Sequence, residues 1–497
     1  MAQSVAAAPA VGFAPRPGLE LGRKGLWAAH IALLAGLIGA LDPLPLAIGV
    51  VGSAGALLVL RWPLLGIGLL LFAVPFGSLA QVELGSFQVG PTEVLTALVG
   101  LSWLLRGIAA RRIRLMHAAP LTAAAMMSIL ALFSITYAIA AGPAIKETLK
   151  WLELAVVVVV MRDLVRTWER ARPLVLALFV AASLEALYGV FQFATNAGPV
   201  SFALGESLRA YGNFEQPNPF GGYLSTVLPV ALAVALAPGT SRTVRWTSRI
   251  AVVCLALGIA LSQSRGAWLG LAVAFVVAVL VLGGRARLLL GAGMAALLAT
   301  VLAAFAGLLP ASIVQRVSQA VEYFGVFDVR TVELTSENWA VVERMAHWQA
   351  GWGMFLDNPW LGVGAGNYPE AYPFYYINDW LDPLGHAHNY YINTLAELGV
   401  VGLGILVLFL TFVFATLFHA ARARLGPAPQ PEAVIWRLLG LGILASFVVF
   451  NTHNIFDNLF VHSVNVQIGF LLALGLLAAE RVHAFPEARP EQRSARI

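Results

Sequence analysis

Residues 248–283 read Ser248-RIAVVCLALGIALSQSRGAWLGLAVAFVVAVLVL-Gly283. As one α-helix this stretch would measure about 50 Å, against a bilayer hydrocarbon core of about 30 Å. It must therefore be two membrane passes, broken at Gln263-Ser264-Arg265-Gly266. The first pass is short, which draws the turn below the interface. An arginine at that depth costs roughly 2.5–3.5 kcal/mol on insertion scales unless a water- or anion-filled cavity receives it. The plainer reading is an interfacial arginine whose aliphatic stem carries its charge to water.

Outward from this pair the same pattern repeats. Of 497 residues, 59% are hydrophobic and only 11% charged. Soluble domains carry roughly 25% charged residues, so a water-soluble globule is excluded, and so is a disordered chain. Apolar runs fall near 25–41, 44–60, 62–80, 92–105, 119–141, 146–161, 173–194, 219–237, 250–262, 267–283, 287–309, 399–420, 436–451 and 464–480. Several are short, so the expected fold is an all-α, polytopic transmembrane bundle of 12–14 spans with both termini cytoplasmic. This divides the chain into a cytoplasmic tail (1–24), an N-terminal bundle (25–309), one large outer loop (310–398), C-terminal helices (399–480) and a second tail (481–497).

The net charge of +5 does not point to nucleic acid. With the N-terminus inside, 24 of the 31 basic residues fall in cytoplasmic segments, as the positive-inside rule asks. Lys146, Lys150, Arg209, Arg265, Arg316, Arg330 and Arg344 are left on the outer side and need a reason to be there. A single cysteine, Cys254, excludes an internal disulfide. The first 24 residues lack an adjacent cleavage signature and read as a tail rather than a signal peptide.

Four outer-side clusters carry candidate chemistry. Arg209-AYGNFEQPNPF-Gly221 is a polar, turn-rich connection, which could be no more than turns. Arg265 lies on the turn described above. Gly385-His386-Ala-His388-Asn389 precedes a helix on which Asn389, Asn393 and Glu397 stand four residues apart, a polar stripe that must face protein or water. His453 and Asp457 on the last outer turn read as a cap or a second polar contact. In the long loop, 338–356 reads as a helix with Arg344 and Trp348 on one face, ended by Asp357-Asn358-Pro359. No HExxH or cysteine partner accompanies the histidines, so no metal is expected. Gly362-Val-Gly364-Ala-Gly366 follows a helix and lacks a Lys-Ser/Thr ending, which weakens a nucleotide reading. Arginine suits a bidentate grip on phosphate, histidine takes a proton near neutral pH, and aromatic faces pack on sugars. A lipid-linked diphospho-sugar needs all three.

His388-Asn389 followed by Gly399-Val-Val-Gly402 resembles the signature of the bacterial O-antigen ligase family, whose superfamily also holds O-antigen polymerases and protein O-oligosaccharyltransferases. Arg344…Trp348…Asp357-Asn358-Pro359-Trp-Leu-Gly362 resembles its pre-histidine segment, Arg209-Ala-Tyr-Gly212 its earlier outer-loop motif, and Ser264-Arg265-Gly266 its motif between passes. The likeness runs from about residue 170 to 475. It implies transfer of a glycan from a polyprenyl-diphosphate carrier to a lipid, glycan or protein acceptor hydroxyl at the outer face of a bacterial cytoplasmic membrane. It further implies His388 as base, Arg209 and Arg265 as diphosphate ligands, and no metal, nucleotide or other cofactor. Arg344, His386, Asn389, Glu397 and His453 would support the site. The rival from another class is a secondary transporter, but no internal repeat is visible and the polar clusters gather on one face.

Overall fold

The computed structural model describes residues 43–84, 87–113, 118–204, 207–284, 327–335, 338–426 and 429–482, with the isolated positions 288, 292 and 484. The spans expected at 25–41 and 287–309, both outermost tails and the start of the long loop fall outside the described residues or nearly so. Met1–Leu58 and Val59–Ile497 form separate units.

The fold is all-α, as expected. In chain order the helices are α1 (Pro43–Arg61), α2 (Pro63–Phe76), α3 (Pro91–Ala109), α4 (Ala119–Ser134), α5 (Ala141–Leu164), α6 (Trp168–Thr195) and α7 (Pro217–Leu236). They continue with α8 (Arg242–Ser262), α9 (Arg265–Leu282), α10 (Trp339–Asp357), α11 (Tyr368–Ala371), α12 (Tyr390–Ala421), α13 (Pro431–His453) and α14 (Val464–Arg481). Two antiparallel hairpins, β1 (Val82–Leu84) with β2 (Phe87–Val89) and β3 (Ala203–Leu204) with β4 (Ser207–Leu208), decorate the loops. Among the described residues nine helices are long and apolar enough to cross a membrane. Helix α1, 19 residues with Arg61 as its one charge, covers the span expected at 44–60, while the spans expected at α4 and α5 are helical but fall short: α4 has only 16 residues, and α5 carries Lys146, Glu147, Lys150, Glu153, Arg162 and Asp163.

Proline at the first or second position opens α2, α3, α4, α7 and α13, where its missing N–H costs nothing. Helices α7, α13 and α14 are the most enclosed, while α3 and α9 present most of their surface outward. The central helix α13 packs on α7, α9, α12 and α14. Glycine permits the close approaches: a Cβ on Gly442 would lie 2.9 Å from the Pro229 carbonyl, and one on Gly270 equally close to that of Val449.

The expected break in 248–283 is present. Helix α8 ends at Ser262, Gln263 takes a left-handed conformation, and α9 starts at Arg265. The helix after the histidines begins nine residues before the expected apolar run, at Tyr390, because the Asn389 side chain caps it by accepting from the N–H groups of Tyr391 and Ile392.

Helix α12 is then broken at Gly399 (φ 61°). Within a continuous helix the N–H groups of Val400 and Val401 would bond the carbonyls of Ala396 and Glu397. They bond Pro359 (2.8 Å) and Trp360 (3.3 Å) instead. The released carbonyls accept from Val363 and Gly364, both at 2.9 Å. This four-bond exchange docks segment 359–364 onto the helix. Gly399→Ala should therefore lower the thermal midpoint in detergent by the equivalent of about 2 kcal/mol or more, from the φ strain alone. A Cβ there would also come within 2.3 Å of the Trp360 carbonyl carbon. Gly404→Ala, where a Cβ meets nothing within 4 Å, should leave the midpoint in place.

Candidate active site

The polar turns meet at one end of the bundle. The Arg209 loop is tied to the α8–α9 turn: Ala210 N–H donates to the Leu261 carbonyl, and Arg209 Nε to that of Ser262 at 2.9 Å. Arg209 Nη2 also donates to Asn218 Oδ1 at 3.0 Å. The same turn carries Arg265, and the next residue, Gly266, lies against His453: a Cβ there would sit 2.7 Å from its Nε2. From the end of α13 the chain turns back to Asp457, and Tyr390 N–H closes the turn by donating to the carbonyls of Asn454 (2.9 Å) and Asp457 (3.2 Å). The Arg209 loop, the turn that carries Arg265 and the turns that carry the histidines thus form one contiguous set of contacts.

Asp457 is the hub. Its Oδ1 accepts from Asn458 N–H at 2.9 Å and lies 3.5 Å from His388 Nδ1 and 3.9 Å from His386 Nε2. Burial pushes this carboxyl up, but His388, His386 and the Arg344 guanidinium outweigh it and hold the group well below the usual carboxylate range. Helix α13 ends at His453, so Asp457, four residues on, stands in the turn beyond the helix.

His388 is buried, and its backbone is left-handed (φ 50°), a conformation that costs a non-glycine residue about 1 kcal/mol or more. Three contacts hold it there. Trp348 Nε1 donates to its carbonyl at 3.2 Å, its own N–H donates to His386 Nδ1 at 3.1 Å, and Asn389 caps the helix behind it. Its Nε2 has no hydrogen-bond partner, and its Nδ1 has none beyond the 3.5 Å approach to Asp457. With Nδ1–H toward Asp457, the ring leaves its Nε2 lone pair unused.

Of the expected supporting residues, Arg344 donates to the Ala340 carbonyl, while its buried Nε has no hydrogen-bond partner. Glu397 turns away from the histidines: its carboxylate accepts from the N–H groups of Gly366 (2.9 Å) and Tyr368 (3.2 Å), filling the Gly-rich loop that sequence had weighed as a phosphate cradle.

Sequence reasoning missed His347. It is 1% exposed, stacks on Tyr372 (4.9 Å between ring centroids) and meets the His388 ring edge-to-face at 5.4 Å. Its position three residues after Arg344, on the face that also bears Trp348, was the available signal.

His386, His388 and Asp457 are the metal-compatible cluster among the described residues, with ligand atoms all within 4.8 Å of one another. The donor set fits an ion poorly as arranged. His386 Nδ1 already accepts the His388 N–H, which puts the proton of the neutral ring on Nε2, the atom nearest Asp457. Burial, with His388 beside it, pushes the His386 imidazole down to about 3; burial, His388 and His386 do the same to His347.

The architecture is that of a multi-pass helical membrane protein with a polar site built at one end of its bundle. Residues 250–407 match the family model described as O-Antigen ligase, so this part of the chain is similar to that family. The match takes in Arg265, Arg344, His386 and His388; Arg209, His453 and Asp457 lie outside it. A comparison with curated proteins found no match.

Folded His386 and His347 bind fewer protons than the unfolded chain between about pH 6.5 and 3, so their neutral burial contributes stability that is present above 6.5 and lost as pH falls. Thermal unfolding in detergent should shift progressively downward below about pH 6.5, and His386→Asn should flatten that dependence.

Proposed function

We propose that the protein moves a glycan from a polyprenyl-diphosphate carrier to an acceptor hydroxyl, at the outer face of a bacterial cytoplasmic membrane. The observation that carries this reading is the His388–Asp457 pair: a buried imidazole with Nδ1 3.5 Å from an ionised carboxylate and Nε2 without a hydrogen-bond partner. A carboxylate behind Nδ1–H fixes the tautomer and offsets the charge that forms when Nε2 takes a proton.

In this mechanism His388 Nε2 removes the acceptor hydroxyl proton as that oxygen attacks the anomeric carbon. The bond to the diphosphate oxygen breaks, and the carrier diphosphate departs with the electron pair. Arg209 and Arg265 receive the developing negative charge. Fixed guanidinium groups can do this without a metal, because their planar fork matches phosphate oxygens and their charge does not titrate. Asp457 and His386 orient the base; Trp348 and Asn389 hold its backbone. Inversion at the anomeric carbon follows from direct displacement.

The decisive assay combines the purified full chain in detergent with a polyprenyl-diphosphate glycan and candidate lipid, glycan and protein acceptors, with and without chelator. Transfer should persist with chelator. His388→Ala should lose about 10²–10⁴-fold in turnover while inserting and folding normally, as typical of a lost general base. Undiminished transfer by that variant would remove His388 from the reaction.

The arginines give a second test. Arg265→Lys keeps the charge and loses the bidentate fork, so it should recover only a small part of the wild-type rate. Full activity in that variant would return Arg265 to the role of an interfacial anchor.

A further inference from the structure

The ring nitrogens of His347 are not equivalent, and their assignment follows from the hydrogens available. Tyr368 Oη donates its one hydrogen to the His347 backbone carbonyl at 2.9 Å. The 3.2 Å contact between the same Oη and His347 Nδ1 can then only be donated by Nδ1–H. His347 Nε2 is left with a lone pair, and that atom is buried without a partner. Stacking on Tyr372 fixes the ring plane, and the imidazole stays neutral because burial, His388 and His386 push its titration down to about 3.

The adjoining ring, at 5.4 Å and edge-to-face, is His388, whose Nε2 is equally unpartnered. Buried polar atoms in native proteins find partners, so two neighbouring lone pairs with no protein donor mark a place where a ligand supplies both hydrogens. One is the hydroxyl that His388 deprotonates. The other needs a second donor a short distance along the same molecule.

We infer that His347 is a specificity residue of the acceptor subsite, and that the site takes a hydroxyl flanked by another hydroxyl, as on a sugar ring, in preference to an isolated one. This rests on the glycan-transfer reading above and names the acceptor class for it. An acceptor with a lone hydroxyl satisfies His388 but strands the His347 lone pair, and a buried acceptor atom without a donor is more costly than the mean worth of a hydrogen bond.

The test uses the full chain with a polyprenyl-diphosphate glycan donor, an alkyl pyranoside acceptor and its monodeoxy analogues, with the linkage of the product identifying the attacked position. Wild type should lose about tenfold in kcat/KM for the analogue lacking the neighbouring hydroxyl, and little for analogues altered further away. His347→Phe keeps a ring to stack on Tyr372 and removes Nε2; it should lower transfer to the parent acceptor and bring the parent-to-deoxy ratio close to one. His347→Gln, which returns an acceptor oxygen, should recover part of that ratio. Equal use of parent and neighbouring-deoxy acceptor by wild type overturns the inference without involving any variant. So does a His347→Phe protein that loses the same factor on every acceptor, the mark of a purely structural role. Transfer to isolated serine hydroxyls in preference to the pyranoside overturns it while leaving the glycan-transfer reading standing; release of no glycan with any acceptor removes both.

Discussion

A helix cannot be broken near membrane depth unless its freed backbone groups find other partners, and the exchange at Gly399 is how this protein meets that condition. Two N–H groups of α12 go to Pro359 and Trp360, and two carbonyls receive Val363 and Gly364. The consequence is positional. Segment 359–364 is clamped to α12 by backbone alone, and Glu397 extends the clamp to Gly366 and Tyr368. Asn367 adds paired contacts with Ala140, in the α4–α5 turn. Helix α10 precedes this clamp directly, so its Arg344, His347 and Trp348 are delivered over His388 by a rigid frame.

The second constraint is the carboxylate of Asp457. Burying an ion is expensive unless opposite charge and hydrogen-bond donors surround it. Here Asn458 N–H, the two imidazoles and the Arg344 charge meet that need. These groups come from three separate parts of the chain: α10, the 386–389 turn and the α13–α14 turn. The same contacts that make the ion tolerable therefore bring those parts together. Removing the charge would leave His388 without a reason to keep its Nδ1–H turned inward, so the acid shapes the base as well as the fold around it.

Much of the architecture was legible because the bilayer forces a simple code. Thickness sets helix length, and the 36 residues 248–283 could only be a pair with Arg265 at the break. Boundaries were less legible where polar residues are buried in protein. The first turns of α12 carry Asn393 and Glu397, so hydropathy starts the span at 399, whereas the Asn389 cap starts the helix at Tyr390. The polar stripe, read as facing protein or water, faces protein, and its members divide their work: Asn389 caps, Asn393 accepts from Ala387 N–H, and Glu397 holds the glycine loop. Asp457 reads locally, with His453, as a cap or a second polar contact. Its contacts with His386 and His388, some seventy residues earlier, depend on how the α13–α14 turn docks, and no spacing along the chain encodes that.

The tautomers of the histidines also bear on whether the cluster of His386, His388 and Asp457 could hold a metal. A metal ligand must present a lone pair, and a neutral imidazole has one. His386 commits its lone pair to the His388 N–H, and His347 commits its N–H to Tyr368, which leaves its lone pair facing inward. The hydrogen-bond network has thus divided the rings by tautomer: His386 is a donor toward Asp457, while His388 and His347 are acceptors awaiting donors. Under the proposed function such a pattern suits a hydroxyl-bearing substrate, whose O–H groups are the donors these lone pairs lack.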